Sequence, residues 1–226
     1  MSALHLLTSM ASRELLRDLA ARFEAATSQS VSVEAAGGVA VAKRVRGGET
    51  ADIIVLARNT IEDLAQAGSL IGASITDIAR SGIAVAVRAG AQSPDVATQD
   101  SLKRAVMAAS SISYSTGPSG VHLEKIFAGW GVLEELRGRI VVPPPGVPVG
   151  SLLASGTVQL GFQQLSELIN VPGIRVVGPL PAAIQLTTIF SGAVTSVSTR
   201  EQAASALLHY LASPEVRDIK PRFGME

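Results

Sequence analysis

Leu4-His-Leu-Leu-Thr-Ser-Met-Ala-Ser12 runs directly into Arg13-Glu-Leu-Leu-Arg-Asp-Leu-Ala-Ala-Arg-Phe23, and this stretch decides the fold. Residues 4–8 form an apolar run of strand length. From 12 to 28, Leu15, Leu16, Leu19, Ala20 and Phe23 recur at helical spacing, with Arg13, Glu14, Arg17, Asp18, Arg22 and Glu24 off that face. A strand, a serine-bearing loop and an amphipathic helix in direct succession make the repeating unit of an α/β protein.

The same grammar continues to the end of the chain. Strands are predicted over 31–35, 51–57, 83–88, 111–115, 158–162 and 174–177, with one more inside 184–194. The 51–57 stretch is apolar on both faces, as a buried parallel strand requires. Helices are predicted from Gly37-Gly38 to about Arg46, and over 101–109, 119–130, 149–154, 164–169 and 200–211. Asn59 is expected to cap a helix to residue 67, with Glu62 at its third position. In the 119–130 helix Leu123, Ile126, Phe127 and Trp130 face inward. In the last helix Ala203, Ala206, Leu207, Tyr210 and Leu211 form the apolar face. Pro143, Pro144 and Pro145 interrupt regular structure, and Ser213 is expected to cap a short helix with Pro214 at its first position. The expectation is an α/β fold with mainly parallel sheets.

Composition excludes several function classes. The 226 residues suit one large domain or two lobes of roughly 100 residues. Nineteen Lys and Arg balance nineteen Asp and Glu, and zero formal net charge argues against a binder of nucleic acid backbone, which needs a basic stripe. With 17% charged residues and a mean hydropathy of +0.34 the chain is not disordered. No cysteine means no disulfide, thiol nucleophile or thiolate metal site. Apolar runs such as 53–57 and 82–87 are too short for membrane insertion. Residues 1–10 hold five strongly apolar side chains, but the charged run 12–18 follows at once and fits an amphipathic helix, not an export signal. The expected location is cytoplasmic as written, or periplasmic if a signal peptide has been removed. No hydrolase triad, P-loop, dinucleotide fingerprint or metal-binding helix motif is present. His5, His122 and His209 are isolated from one another and read as structural or solvated.

Four loops stand out. In Ser9-Met-Ala-Ser12, Gly37-Gly-Val39, Ser115-Thr-Gly-Pro-Ser-Gly120 and Gly146-Val-Pro-Val-Gly-Ser151, small hydroxyl or glycine residues lead from a strand into a helix. Each offers hydroxyls and backbone amides at a helix N-terminus, where negative charge is favoured. In open parallel sheets ligands bind beyond the carboxyl ends of the strands. If the loops converge, they form a neutral, donor-rich cup for a small anion. Any one of them is equally an ordinary cap or turn. Gln163-Gln164 closes another strand and can donate or accept.

The order of elements, the serine loop before the first long helix, Ala51-Asp-Ile-Ile-Val55 before a helix, and the closing Leu207-Leu-His-Tyr-Leu-Ala-Ser-Pro-Glu215 resemble the molybdate-binding-protein type of bacterial solute-binding proteins. The resemblance covers essentially the whole chain. It implies a two-lobed type II periplasmic-binding-protein fold, each lobe a mainly parallel sheet flanked by helices, with the ligand cleft between lobes. Lobe 1 is expected at 1–81 plus 186–226 and lobe 2 at 82–185. Ser9 and Ser12 match the family's first oxyanion loop. Gly37-Gly38 stands where a serine-bearing turn is expected, and Phe162-Gln163-Gln164 replaces a tyrosine segment. A narrower resemblance accounts for these departures. Gly161-Phe-Gln-Gln-Leu-Ser-Glu-Leu-Ile169, Val171-Pro-Gly-Ile174, Gly178-Pro-Leu-Pro-Ala-Ala-Ile-Gln185, Tyr114-Ser-Thr-Gly-Pro-Ser-Gly-Val121 and Arg44-Val-Arg-Gly-Gly-Glu-Thr-Ala-Asp52 look like the branch that includes aconitate isomerase. That branch implies no metal and no organic cofactor.

Two functions follow as expectations. One is an isomerase that shifts the double bond of an unsaturated di- or tricarboxylate, using the cup's donors for a dienolate. Its base is unassigned, with Tyr114, Glu167 or a bound water as candidates. The other is a non-catalytic substrate-binding protein of an ABC transporter, for molybdate or another small oxyanion, whose permease partner matters only if the chain is exported. The ligand-binding set expected in both cases is Ser9, Ser12, Gly38, Val39, Arg44, Ser115, Thr116, Ser119, Gly120, Val149, Gly150, Gln163 and Gln164. Arg44 is read either as a bidentate carboxylate contact or as a solvated helix position.

Overall fold

The computed structural model describes residues 2–144 and 147–226. Pro145 and Gly146, expected to end regular structure and to open the fourth loop, lie outside the described residues, as does Met1. The chain divides into two compact units, 1–80 with 188–226, and 81–187.

The first unit opens with β1 (Leu4–Ser9), α1 (Arg13–Thr27), β2 (Val31–Ala36), α2 (Gly38–Arg46), β3 (Ile53–Ala57) and α3 (Arg58–Gln66). β4 (Thr76–Arg88) carries the chain into the second unit. There α4 (Gln99–Ala108), β5 (Ile112–Tyr114), α5 (Pro118–Gly129) and α6 (Leu133–Leu136) are followed by α7 (Val149–Ser155), β6 (Leu160–Gln164), α8 (Leu165–Leu168) and β7 (Ile174–Pro179). β8 (Thr187–Val194) returns to the first unit, which ends in α9 (Glu201–Ala212) and a 3-10 run, Pro214–Phe223.

In the first unit β1 lies between parallel β2 and β3, and β3 pairs antiparallel with β8. In the second, β5 and β6 are parallel, whereas β4 runs antiparallel to β6 and β7. The pairing is therefore mixed, not mainly parallel as expected. The cause is that β4 and β8, the strands that carry the two crossings, run against their neighbours.

Strands buried on both faces explain the apolar runs. In the first unit Leu4, Leu6, Ile53 and Val55 pack on Leu15, Leu16 and Leu19 of α1 and Leu207, Leu208 and Leu211 of α9. On the other face Leu7, Ile54 and Leu56 meet Val41 and Val45 of α2 and Ile61 and Leu64 of α3. In the second unit Ile83, Val85 and Val87 join Leu102, Val106, Leu123, Phe127 and Phe162, while Ala84 and Ala86 face Val149, Leu153 and Leu168. Each buried leucine or valine contributes about 1.5–3 kcal/mol. The small residues let α7 sit low on the sheet: a Cβ at Gly161 would lie 2.7 Å from both Val149 and Leu153.

Several helix starts differ from expectation. α3 begins at Arg58 directly off β3 with no side-chain cap, so Asn59 is inside its first turn and Glu62 accepts from Arg58 Nε at 2.8 Å. α4 begins two residues before Ser101: Thr98 Oγ1 accepts from Ser101 N, and Ser101 Oγ accepts from Thr98 N. Ser213 Oγ caps nothing and is buried without a partner among the described residues. In α9 the buried residues are Ala204, Leu207, Leu208 and Leu211, so Ala206 points outward, and His209 is exposed as read.

Two charged side chains are buried in the first unit. The Asp52 side chain, 7% exposed, accepts from His5 N at 2.8 Å, Ser198 Oγ at 2.7 Å and Arg200 Nε at 3.2 Å. Lys220 is buried and donates through Nζ to the Ile78 carbonyl.

Candidate functional site

In the first unit the parallel register sets Ser9 opposite Ala36 and Thr8 opposite Val55, so the loops leaving β1, β2 and β3 lie side by side. A Cβ on Gly38 would meet Ser9 Cβ at 3.7 Å and Leu56 Cδ2 at 3.8 Å, which puts the start of α2 against the first serine loop. Gly37 provides no side-chain cap, and the first helical bond runs from Val41 N to Gly37 O. The amides of Gly38, Val39 and Ala40 therefore have no acceptor within α2. The Val39 side chain is 73% exposed.

Sequence reasoning missed the role of Thr8, which completes a chain of hydroxyls. Thr8 Oγ1 donates to the Val55 carbonyl at 3.0 Å, which fixes where its proton is. Ser12 must then donate to Thr8 across 2.6 Å, and Ser9 to Ser12 across 3.2 Å. Ser9 is the open end of this chain and the hydroxyl able to turn toward a ligand. The signal was present in sequence as Thr8 and Ser12 four residues apart, but the link to Val55 is a tertiary contact.

Arg44 does not join this group. It lies six residues beyond Gly38 on α2, about 9 Å along the helix. Its guanidinium donates to Glu34 at 2.6 Å through Nη1 and to Glu49 at 2.5 Å through Nε. Glu49 and Glu34 raise the Arg44 pKa further above its already high value. The bidentate fork expected for a ligand is occupied by the protein's own carboxylates.

In the second unit β5 and β6 are parallel, with Tyr114 opposite Phe162, so the 115–120 loop and the Gln163–Gln164 end of β6 emerge together. Ser115 Oγ and Ser119 Oγ are 2.6 Å apart, and Ser119 is buried. Gly120 makes this closure possible, because a Cβ there would fall 1.7 Å from the Ser115 carbonyl oxygen. Gly120 N and Val121 N donate to Gly117 O. With proline at the first position of α5, the Ser119 amide has no acceptor within the helix. Thr116 is exposed on the same loop.

The start of α7 reaches this loop cluster through Gln163. Val149 N donates to Gln163 Oε1 at 3.1 Å, and Gln163 Nε2 donates to Glu167 Oε1 at 2.8 Å. Val149 and Gln163, both expected to contact ligand, are thus engaged with each other. Gly150 packs against Val171, and Gln164 is buried beside Gln163 at the end of β6. Ser166 Oγ, next to Glu167, is buried without a partner among the described residues.

Tyr114, a candidate base, is poorly suited to that role. Burial, then Glu124, pushes its hydroxyl up to about 12, and the hydroxyl donates to Glu124 Oε1 at 3.1 Å. His122 Nε2 donates to the Ile184 carbonyl at 2.9 Å, and the carbonyl fixes the tautomer. Among the described residues no group of three or more His, Cys, Asp or Glu side chains gathers to hold a metal ion, and no helix is long and apolar enough to cross a membrane.

Comparison with known proteins agrees with this architecture. The profile of the bacterial extracellular solute-binding proteins matches residues 4–226. An aconitate isomerase from Pseudomonas sp. is 38% identical over 208 residues, covering 88% of this chain and 78% of that protein. The periplasmic molybdate-binding protein of Azotobacter vinelandii superposes with a TM-score of 0.81 at 21% identity, covering 99% of this chain and 98% of that one. A tungstate-binding protein from Desulfovibrio alaskensis gives 0.67 at 15% identity, covering 97% and 93%. With essentially its whole length matched, the chain belongs to the bacterial extracellular solute-binding protein family.

Proposed function

We propose that this protein binds a small di- or tricarboxylate on the serine and amide donors of its strand-end loops and isomerises it as aconitate isomerase does. The observation that carries this reading is the 38% identity to that enzyme over 208 residues. The local chemistry is compatible with it. Ser9, Ser119 and the amides of Gly38, Val39 and Ser119 are neutral donors, suited to carboxylates and to the charge that develops on a dienolate. Removing a proton from the methylene of cis-aconitate and returning one to the far carbon of the double bond yields the trans isomer.

Proton NMR of the pure protein with cis-aconitate in deuterium oxide tests the proposal. Deuterium uptake at the methylene and growth of the trans resonances are expected. Heat of binding with no exchange would leave only a receptor.

That receptor is the second reading, since hydroxyl and amide donors hold tetrahedral oxyanions as readily as carboxylates. It carries an ABC permease partner and an extracytoplasmic location, which the family description favours. A melting temperature raised by molybdate or tungstate, with no response to aconitate, would select it.

A further inference from the structure

We propose that Glu167 is the group that moves the proton in the isomerisation, held in place by Gln163; this rests on the isomerase reading above. An allylic proton shift needs a base, and in the second unit a carboxylate is held next to the start of α7. Glu167 lies in the first turn of α8, three residues past the end of β6, and is joined through Gln163 to the start of α7. Gln163 is buried, and both ends of its amide are committed: Oε1 accepts from the first amide of α7 and Nε2 donates to Glu167 Oε1. A buried amide bridging a helix start and a carboxylate fixes that carboxylate's position and rotamer, which proton transfer to carbon requires. The alternative is weaker. The Tyr114 hydroxyl is pushed up to about 12 and donates to Glu124.

The step balances without a co-reactant. A C–H bond of the substrate methylene breaks and its proton goes to a Glu167 oxygen. The released electron pair forms the new double bond to the central carbon, and the old double-bond pair moves to the far carbon, conjugated with its carboxylate. Protonated Glu167 then delivers a proton to that far carbon, and the carboxylate is restored.

Glu167→Gln is nearly isosteric and tests the assignment. Wild-type protein and the variant are compared by calorimetric binding of cis-aconitate and by deuterium exchange into it. The variant is expected to bind within about threefold of wild type and to lose exchange and turnover by about 10²–10⁴-fold, the range of general base catalysis. Glu167→Asp is expected to keep measurable turnover, with the acid limb of its pH–rate profile displaced from that of wild type. An active wild type with Glu167→Gln exchanging within tenfold of it would overturn the assignment and leave the isomerase reading standing. A wild type that exchanges no proton would instead overturn the isomerase reading. If Glu167→Gln fails to fold, Glu167→Asp decides alone: an unshifted pH profile at full activity overturns the assignment.

Discussion

Replacing Gly120 by alanine sets two effects of opposite sign against each other. Gly120 is the third residue of α5, and alanine in a helix is ordinarily favoured over glycine by about 1 kcal/mol. Here the new methyl would lie 1.7 Å from the Ser115 carbonyl oxygen, 2.9 Å from its carbon and 3.1 Å from Tyr114 Cδ2. Non-bonded heavy atoms rest roughly 3.5 Å apart, so about 1.8 Å must open between the helix start and the loop. Two of the three contacts are with backbone, which cannot swing aside as a flexible side chain does. Overpacking of this kind costs about 1–3 kcal/mol, and backbone contact puts Gly120→Ala at or beyond the upper end. Net of the propensity gain, a loss of about 2 kcal/mol is expected, a melting temperature lower by roughly 4–8 °C for a chain of this size. The same displacement parts Ser115 Oγ from Ser119 Oγ, so affinity for aconitate should fall by about tenfold or more. Thermal melting followed by calorimetry checks both. A variant that melts at or above wild type and binds unchanged would show that the close approach of Gly120 to Ser115 does not exist in solution.

Other expectations concern the buried charges and the hydroxyls. Burial alone would raise the pKa of Asp52, but hydrogen bonds from His5 N, Ser198 and Arg200 outweigh it and hold the carboxyl below its usual range. Its stabilisation is therefore complete above the unfolded value near 3.9 and lost as pH falls through the lower folded value. Asp52→Asn should cost about 3 kcal/mol at pH 7 in urea unfolding, with the gap to wild type closing in acid. Burial, then Arg217, lowers the pKa of Lys220. The unfolded chain thus binds more protons between that depressed value and 10.5, so this term makes wild type more stable as pH rises through that window. Lys220→Met should be neutral or stabilising at pH 7 and lose its advantage toward pH 10.5, again by urea unfolding. Ser9→Ala and Ser119→Ala should each weaken aconitate binding by about tenfold, since a hydrogen bond to a charged group contributes about 1.5–3 kcal/mol. Full affinity in either variant removes that loop from the site.

The fold was legible because β1, β3 and β6 are short apolar runs set against helices with one apolar stripe, and burial enforces both periods. Strand direction carries no such imprint. Nothing in 76–88 or 187–194 announces that these strands run against their neighbours, and so the sheet proved mixed. Capping was ambiguous wherever two capping residues lay close together. Thr98 and Ser101 are both suitable, and only the reciprocal pair of hydrogen bonds shows which leads. Asn59 was misleading because α3 starts straight off β3 with Arg58 turned to Glu62 and Asp77. Among the candidate residues, the serines and glycines of the first three loops stand at the ends of their strands, as their spacing requires. The ion pairs of Arg44 were not legible because its partners Glu34 and Glu49 are brought to it by β2 and by the turn after α2. The connection from Val149 through Gln163 to Glu167 needed the burial of Gln163, which no pattern in 161–169 reveals.

The hydroxyl chain at the end of β1 also bears on the protonation state of the ligand. Thr8 has given its hydrogen to Val55 and Ser12 has given its own to Thr8, so the Ser9 hydrogen, which rests on Ser12, is the one that must turn to meet a ligand. The neighbouring amides at the start of α2 can only give. A guest carrying an acidic hydrogen of its own brings a donor to amides that can only donate. Occupancy should therefore favour the fully ionised form of the guest and fade as solution acidity restores its last proton.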